Sequence, residues 1–118
     1  MQTPFQLTFR GMAHSDALAA HVQRLVERLD RVFERIVSCN VVVELAGHHH
    51  RHGDRYRVTI NVGLPGHELL VSHDPPDDGT SENAHATADR AFREAERQLE
   101  DWVRRRRDRR REETRRST

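Results

Sequence analysis

The sequence has no lysine, one cysteine, few aromatic residues and no long apolar run. All 20 cationic side chains are arginine, and aromatic residues make up 5% of the 118 residues. A single cysteine excludes an internal disulfide framework, which favours a reducing, cytoplasmic setting. No stretch approaches the ~20 apolar residues of a membrane span, and no basic segment precedes an apolar run at the N-terminus. We therefore expect neither a membrane anchor nor a secretory signal.

The charge is nearly balanced overall but is unevenly distributed along the chain. The formal net charge is +1, whereas residues 101–118 contain nine arginines and four acidic residues, a net charge of +5. The first 100 residues therefore carry a net charge of −4. Because phosphate binding needs local positive charge, this distribution predicts that a polyanion would meet one face and one tail rather than a uniformly basic surface.

Hydrophobic periodicity predicts six elements in the order β-α-β-β-β-α. Four segments are predicted to be strands: apolar and polar residues alternate with period two in the first and third, β-branched residues are enriched in the second, and a turn dipeptide precedes the short fourth. These strands cover residues 5–10, 36–45, 56–64 and 68–73. Helical spacing predicts a first helix over 15–34, which Ser15 would cap, and a second helix that begins near Asn83. Segments 47–54 and 74–82 lack both periods and are predicted to be loops.

The elements predict one two-layer α+β domain. Each helix has a single apolar stripe, so both helices are expected on the same face of a four-stranded sheet. Alanines on the second helix would let its backbone approach its neighbours closely. We expect the domain to cover residues 1–105 and an arginine-rich tail, either helical or frayed, to cover 106–118.

Arginines of each predicted helix share a face away from its apolar stripe. At ~100° per residue, those of the first helix are Arg24, Arg28, Arg31 and Arg35, and those of the second are Arg90, Arg93, Arg97 and Arg104. Like charges at helical neighbours cost about 0.2–0.5 kcal/mol per pair, so their alignment favours a polyanionic partner over a simply solvated face. Tail residues, including Arg105 and Arg107, would extend the same surface.

Four histidines in the predicted loop suggest a second, competing function. Neutral imidazoles bind zinc, nickel or copper, and the candidate ligands are His48, His49, His50 and His52. Adjacent histidines between glycines do not supply fixed coordination geometry, and an ordinary solvated turn is the simpler interpretation. The sequence therefore predicts no defined metal site and no other cofactor.

Catalytic patterns are absent from the sequence. Asp77 and Asp78 have no partner histidine or glycine-rich phosphate loop, and no serine has a nucleophile-elbow context. Cys39 lies on the apolar face of the second strand, which is typical of a core thiol rather than a reactive thiolate. Trp102 and Phe92 occur at helical spacing and are predicted to be core residues. We therefore expect a protein that is not an enzyme.

Several blocks, in this order and spacing, resemble the family of hibernation-promoting factor and protein Y, the ribosome-associated inhibitor. The blocks are Phe9-Arg10-Gly11-Met12, 15–18, 25–33, 36–44 and 91–100. The resemblance spans about residues 5–105 and is to short forms without a second domain. The sequence departs from many relatives in two respects. Just before the second helix, they have an acidic, a bulky apolar and an aromatic residue where this chain has Asn83-Ala84-His85. Many relatives also have lysine at positions where this chain has arginine.

The resemblance implies a fold similar to double-stranded-RNA-binding domains and a function on the ribosome. It implies docking in the channel of the small subunit that mRNA and tRNA use, with rRNA as partner, no small-molecule substrate, and translation held idle. It assigns RNA binding to the helix arginines named above. The alternatives are a generic duplex-RNA-binding module and the histidine metal-binding module. The resemblance leaves open the oligomeric state of this chain and whether it promotes or blocks the pairing of ribosomes.

Overall fold

Four strands and two helices follow one another in the predicted order. The structure, a computed structural model, describes residues 1–49, 53–74 and 83–117. The elements are β1 (Gln6–Arg10), α1 (Asp16–Val32), β2 (Ser38–His49), β3 (Gly53–Leu64), β4 (His67–His73) and α2 (Ala84–Ser117). They form the predicted α+β domain, which confirms the fold class.

The sheet is mixed, with the strands in the order β1-β2-β3-β4. β1 pairs with β2 in parallel, because α1 carries the chain back across the sheet, whereas β2, β3 and β4 form an antiparallel meander. Pro65-Gly66 makes the turn between β3 and β4, and Gly66 has a φ of 68°, a conformation that glycine adopts without strain.

The core lies between the two helices and one face of the sheet. Alternate residues of β2 and β3 are opposite one another and fully buried, as in the pairs Val41–Ile60 and Val43–Val58. From α1, the residues that reach the same core include Leu18, Val22, Val26 and Leu29. Burial of these apolar stripes is the main force that holds the helices on the sheet. The opposite sheet face is uncovered in the described part of the chain and includes Leu70, which is 65% exposed.

The central hairpin is longer than predicted. β2 continues to His49 and β3 begins at Gly53, so the loop predicted over 47–54 is wrong at both ends. The register shifts between Leu45 and Gly47, which indicates a β-bulge at the point where the apolar alternation stops. Beyond the bulge, backbone hydrogen bonds pair strand residues that are mostly polar. A pattern of apolar side chains therefore cannot predict this part of the hairpin.

Helix α2 begins where the sequence predicted and continues through the arginine-rich segment to Ser117. The Asn83 side chain accepts a hydrogen bond from the Ala86 amide (2.8 Å), which caps the first turn. Ala88, Ala91 and Ala95 are buried, so the backbone of α2 lies close to its neighbours, as predicted. At 1.5 Å per residue, 34 residues span about 51 Å, and the end of α2 therefore projects beyond the sheet.

No helix in the described ranges is both long enough and apolar enough to cross a membrane.

Candidate nucleic-acid interface

The two helices lie side by side and run in the same direction. His21 bonds to Asp89 (2.7 Å) near their beginnings, and Arg28 pairs with Glu96 (3.3 Å) further along. Because both partners advance by seven residues between the two contacts, the helices must be parallel and in register. This orientation places the arginines of one helix level with those of the other.

The helix arginines predicted to bind RNA are all exposed on the outer surface of the helix layer. We call this surface the arginine face, and its members are Arg24, Arg28, Arg31, Arg35, Arg90, Arg93, Arg97 and Arg104. At 3.6 residues per turn, these arginines lie next to the residues that make the interhelical contacts, on the side that faces solvent. The two rows therefore lean towards each other rather than apart.

A shallow cleft between the helices shows that the two rows converge. Arg28 of α1 and Arg93 of α2 both line it, above Leu25 and Phe92. Further along, Arg35, in the turn that follows α1, lines a second groove together with Arg104 and Arg107 of α2. The structure thus brings α1 and α2 arginines together at two points along one surface.

Some members of the arginine face are paired with carboxylates of their own domain. Arg97 donates to Glu94 (Nε to Oε2, 3.0 Å) and lies 4.0 Å from Asp101, which also pairs with Arg104 (3.6 Å). Hydrogen bonds from Arg97 and then Gln98 lower the pKa of Glu94 to about 2, so this carboxylate is ionised at neutral pH. These exposed pairs fix side-chain positions but contribute little stability.

Other members have no such partner. Within the described ranges, no hydrogen bond or ion pair engages the guanidinium groups of Arg24, Arg31, Arg35 and Arg93. They are exposed and keep their full capacity to donate to an anion. Arg105 and Arg107 are also exposed, on the projecting part of α2. The unpaired members lie on both helices, so the available positive charge spans the helix pair.

The acidic residues of α1 lie on its opposite flank. By helical spacing Glu27 and Asp30 lie on the side of α1 away from its contacts with α2, and Asp30 pairs with the N-terminal amino group of Met1 (2.8 Å). Opposite charges are therefore separated across α1 instead of being interleaved. This separation is the pattern expected of a surface that binds an anion rather than of one stabilised by its own ion pairs.

The proposed histidine ligands fall largely outside the described part of the chain. His50 and His52 lie outside the described residues, and for His48 and His49 only the backbone in β2 is described. Among the residues that the structure describes, no group of three or more metal-binding side chains comes together. The expectation that these histidines form no defined metal site, and the metal-binding alternative to it, both stay predictions from the sequence.

Cys39 is a core residue, as its position in β2 predicts. It is 1% exposed, and burial, with a smaller contribution from the charge of Asp30, raises the pKa of its thiol to about 12. A thiol that remains protonated and inaccessible is not a nucleophile at neutral pH.

We expect Cys39 to lower stability at alkaline pH. Between pH 9 and 12 the unfolded chain loses a thiol proton that the folded chain retains, so the free energy of unfolding falls as pH rises through this window. Urea unfolding from pH 7 to 10.5, compared with Cys39→Ala, measures this effect. The difference in stability between the two proteins should shrink above pH 9, and a constant difference would contradict the raised pKa.

Two residues, one at the end of α1 and one on α2, were not recognised as surface features from the sequence. Val32 is 59% exposed, Trp102 is only half-buried, and Arg106 lies 5.1 Å from the centre of the Trp102 ring. Phe92, in contrast, is buried as predicted. The sequence carried no signal for the exposure of Val32, because Val32 lies seven residues after Leu25 and so falls on the apolar side of α1; it is exposed at the residue where α1 ends. The position of Trp102 depends on the β3–β4 turn, where His67 stacks against it.

The fold is a small α+β domain whose two helices present exposed arginines on one surface. A family model described as "Sigma 54 modulation protein / S30EA ribosomal protein" matches residues 5–107. The chain belongs to this family, which is the ribosome hibernation family that its sequence blocks resemble. As a member of the family, it is a ribosome-associated modulation protein.

Two solved structures share the fold of this chain. The protein Y N-terminal domain of Thermus thermophilus is 28% identical, with a TM-score of 0.64 over 82% of this chain and 94% of that one. A ribosomal subunit interface protein from Coxiella burnetii is 20% identical and shares the fold, with a TM-score of 0.67 over 84% of this chain and 96% of that one. No curated protein matches the sequence.

Proposed function

We propose that this chain binds the rRNA of the small ribosomal subunit through the arginine face and holds translation idle by occupying the mRNA and tRNA channel. The observation that carries the proposal is that two parallel helices present unpaired guanidinium groups on one shared surface. Family membership and the likeness to protein Y and to a ribosomal subunit interface protein support it. A ribosome-bound function implies a cytoplasmic location.

The proposed mechanism needs no catalytic residue. Guanidinium groups make bidentate hydrogen bonds to phosphate oxygens, and the rigid helix pair fixes the spacing of the groups. Contacts of this kind recognise the shape of folded RNA rather than base sequence. Once bound, the domain excludes mRNA and tRNA by its volume alone.

The arginines are expected to contribute unequally. Arg24, Arg31, Arg35 and Arg93 can engage phosphates without first leaving a carboxylate, whereas Arg97 and Arg104 must exchange Glu94 or Asp101 for the phosphate. Because that exchange offsets part of the gain, we assign the larger share of binding to the unpaired group. Arg105 and Arg107 would add contacts along the projecting helix.

Sedimentation with purified ribosomal subunits across a salt series tests this proposal. We expect the protein to travel with small subunits at about 50 mM salt and to be released as salt rises, because each neutralised phosphate releases counterions. If each unpaired arginine neutralises one phosphate, the slope of log affinity against log salt should be about −3. Protein that stays at the top of the gradient at low salt would refute the proposal.

A generic duplex-RNA-binding module is the second candidate, because phosphate contacts by exposed arginines do not by themselves select the ribosome. Competition separates the two functions: small subunits are titrated with protein in the presence of duplex RNA at the same nucleotide concentration as the subunits. Retention on the subunit supports ribosome docking. Equal partitioning per phosphate supports the generic module.

A further inference from the structure

An open groove lies where α1 ends and α2 continues. After Val32 the chain leaves α1 towards β2, whereas α2 continues past the end of α1. The space between α2 and the residues at the end of α1 has a volume of about 570 Å³. This volume is in the range of sites that hold small ligands or single building blocks of a polymer. The groove lies beyond the cleft that contains Arg28 and Arg93 and is continuous with the arginine face through Arg35 and Arg104.

The floor of the groove is apolar. Its lining includes Val32, Phe33, Leu64, Leu99, Trp102 and Val103. The side chains of Phe33, Leu64 and Leu99 are buried and anchor the floor in the core, whereas Val32 is largely exposed and Trp102 and Val103 are half-buried. Single exposed apolar residues are common on protein surfaces, but a contiguous, concave set suits a ligand with an apolar part.

The rim of the groove is strongly positive. Five guanidinium groups line it, from Arg35, Arg104, Arg106, Arg107 and Arg110. Two carboxylates, Glu34 and Glu100, are also present, so cations outnumber anions. A ligand that fits this lining has an apolar part for the floor and a negative charge for the rim.

Trp102 is held in position without a ligand. Its ring is nearly parallel to that of His67, with a 10° angle and 6.5 Å between centroids, and the Arg106 guanidinium lies 5.1 Å from its centre. Such contacts restrict the rotamers of a large side chain. Because the apolar surface is already fixed, binding would not require the entropy cost of ordering it.

We propose that the groove receives one unpaired nucleotide of the RNA, with its base on the apolar floor and its phosphate on the arginine rim. The inference rests on the proposed RNA-binding function and adds a contact to a base. A base within a helix is stacked and cannot reach the floor, whereas a base in a bulge or loop can turn outwards. The excess of cations favours a nucleotide over an apolar peptide without acidic residues.

The fluorescence of Trp102 can test this proposal, because it is the only tryptophan in the chain. Three RNA probes are titrated at low salt: a perfect duplex, the same duplex with one bulged adenosine, and adenosine monophosphate. We expect the bulged duplex to quench Trp102 and to bind about tenfold more tightly than the perfect duplex, a difference of about 1.4 kcal/mol. The monophosphate should quench only at far higher concentration, because it lacks the contacts to the arginine face.

Two aspartate variants provide a matched pair. Val32→Asp puts a carboxylate on the exposed wall of the groove, and Leu70→Asp makes a comparable change on the uncovered sheet face. Both sites are exposed, so both proteins should fold, which circular dichroism verifies. We expect Val32→Asp to abolish quenching and the tenfold preference for the bulge, and Leu70→Asp to preserve both.

The outcomes separate this inference from the proposed function. Equal affinity and equal quenching for bulged and perfect duplexes would overturn the nucleotide site while leaving phosphate binding intact. Equal response to monophosphate and bulged duplex would assign the groove to free nucleotides and overturn it as an RNA contact. Quenching by an acidic, leucine-rich peptide but not by RNA would replace the nucleotide with a protein segment. Absence of any RNA or ribosome binding would refute the proposed function itself.

Discussion

Reversing the charge of Arg31 and Arg93 together is expected to lower affinity for the small ribosomal subunit by about 100-fold, or about 2.8 kcal/mol. Both guanidinium groups are exposed and have no partner within the described residues, and they lie on different helices of the arginine face. Arg31→Glu with Arg93→Glu therefore removes two proposed phosphate contacts and introduces two repulsions. The measurement is sedimentation with small subunits at fixed salt.

A control with the same change in charge distinguishes the loss of a binding site from the effect of a lower net charge. Arg10→Glu alters an exposed residue at the end of β1, on the sheet face opposite the helices, and is compared with the single variant Arg93→Glu. Each substitution lowers the net charge by two, but only Arg93→Glu changes the arginine face. Similar losses from the two single variants would show that bulk charge, rather than this surface, governs binding. Glu27→Arg, on the acidic flank of α1, should not weaken binding.

Enlarging one buried alanine of α2 is expected to have the largest effect on stability. Ala91 is fully buried on the side of α2 that faces the core, and close-packed protein interiors leave little room for extra atoms. Ala91→Leu should lower the free energy of unfolding by about 1–3 kcal/mol, because overpacking forces side chains off their rotamers or displaces the backbone. Urea unfolding measures the change.

The same substitution at an exposed helical site is the control. Ala20 lies on the solvent-exposed surface of α1, and Ala20→Leu should change stability by no more than about 0.5 kcal/mol. Ala91→Leu should also weaken ribosome binding, although no charge is altered, because a displaced α2 changes the spacing of the two arginine rows. Unchanged stability in Ala91→Leu would contradict the close approach of α2.

The element order could be predicted because burial is periodic in this fold. In β3, Val58 and Ile60 alternate with polar residues on a sheet that has only one covered face, and that alternation identifies the strand directly. In β2, Val41 and Val43 belong to a run of β-branched residues, which also favours a strand. The apolar stripes of both helices, and the arginines opposite them, could be assigned for the same reason. Where pairing depends on the backbone alone, as at His49 and Gly53, the sequence contains no comparable signal.

The pairing of charges could not be predicted in the same way. The bond between Arg28 and Glu96 depends on the direction and register of two helices that are far apart in the sequence. The contact of His67 with Trp102 depends on where the β3–β4 turn meets α2. Helical spacing indicates which residues share a face, but only tertiary packing decides which of them remain available to a ligand.

The uneven placement of charge described above gives a nearly neutral molecule a large dipole moment. A net charge of +1 attracts the molecule only weakly to polyanions at a distance, whereas the arginine-rich end of α2 and the acidic flank of α1 feel opposite forces in the same field. The resulting torque would turn the protein before contact, with the distal end of α2 leading. Encounters should therefore be selected by orientation more than by attraction, which limits capture by the many other nucleic acids in a cell.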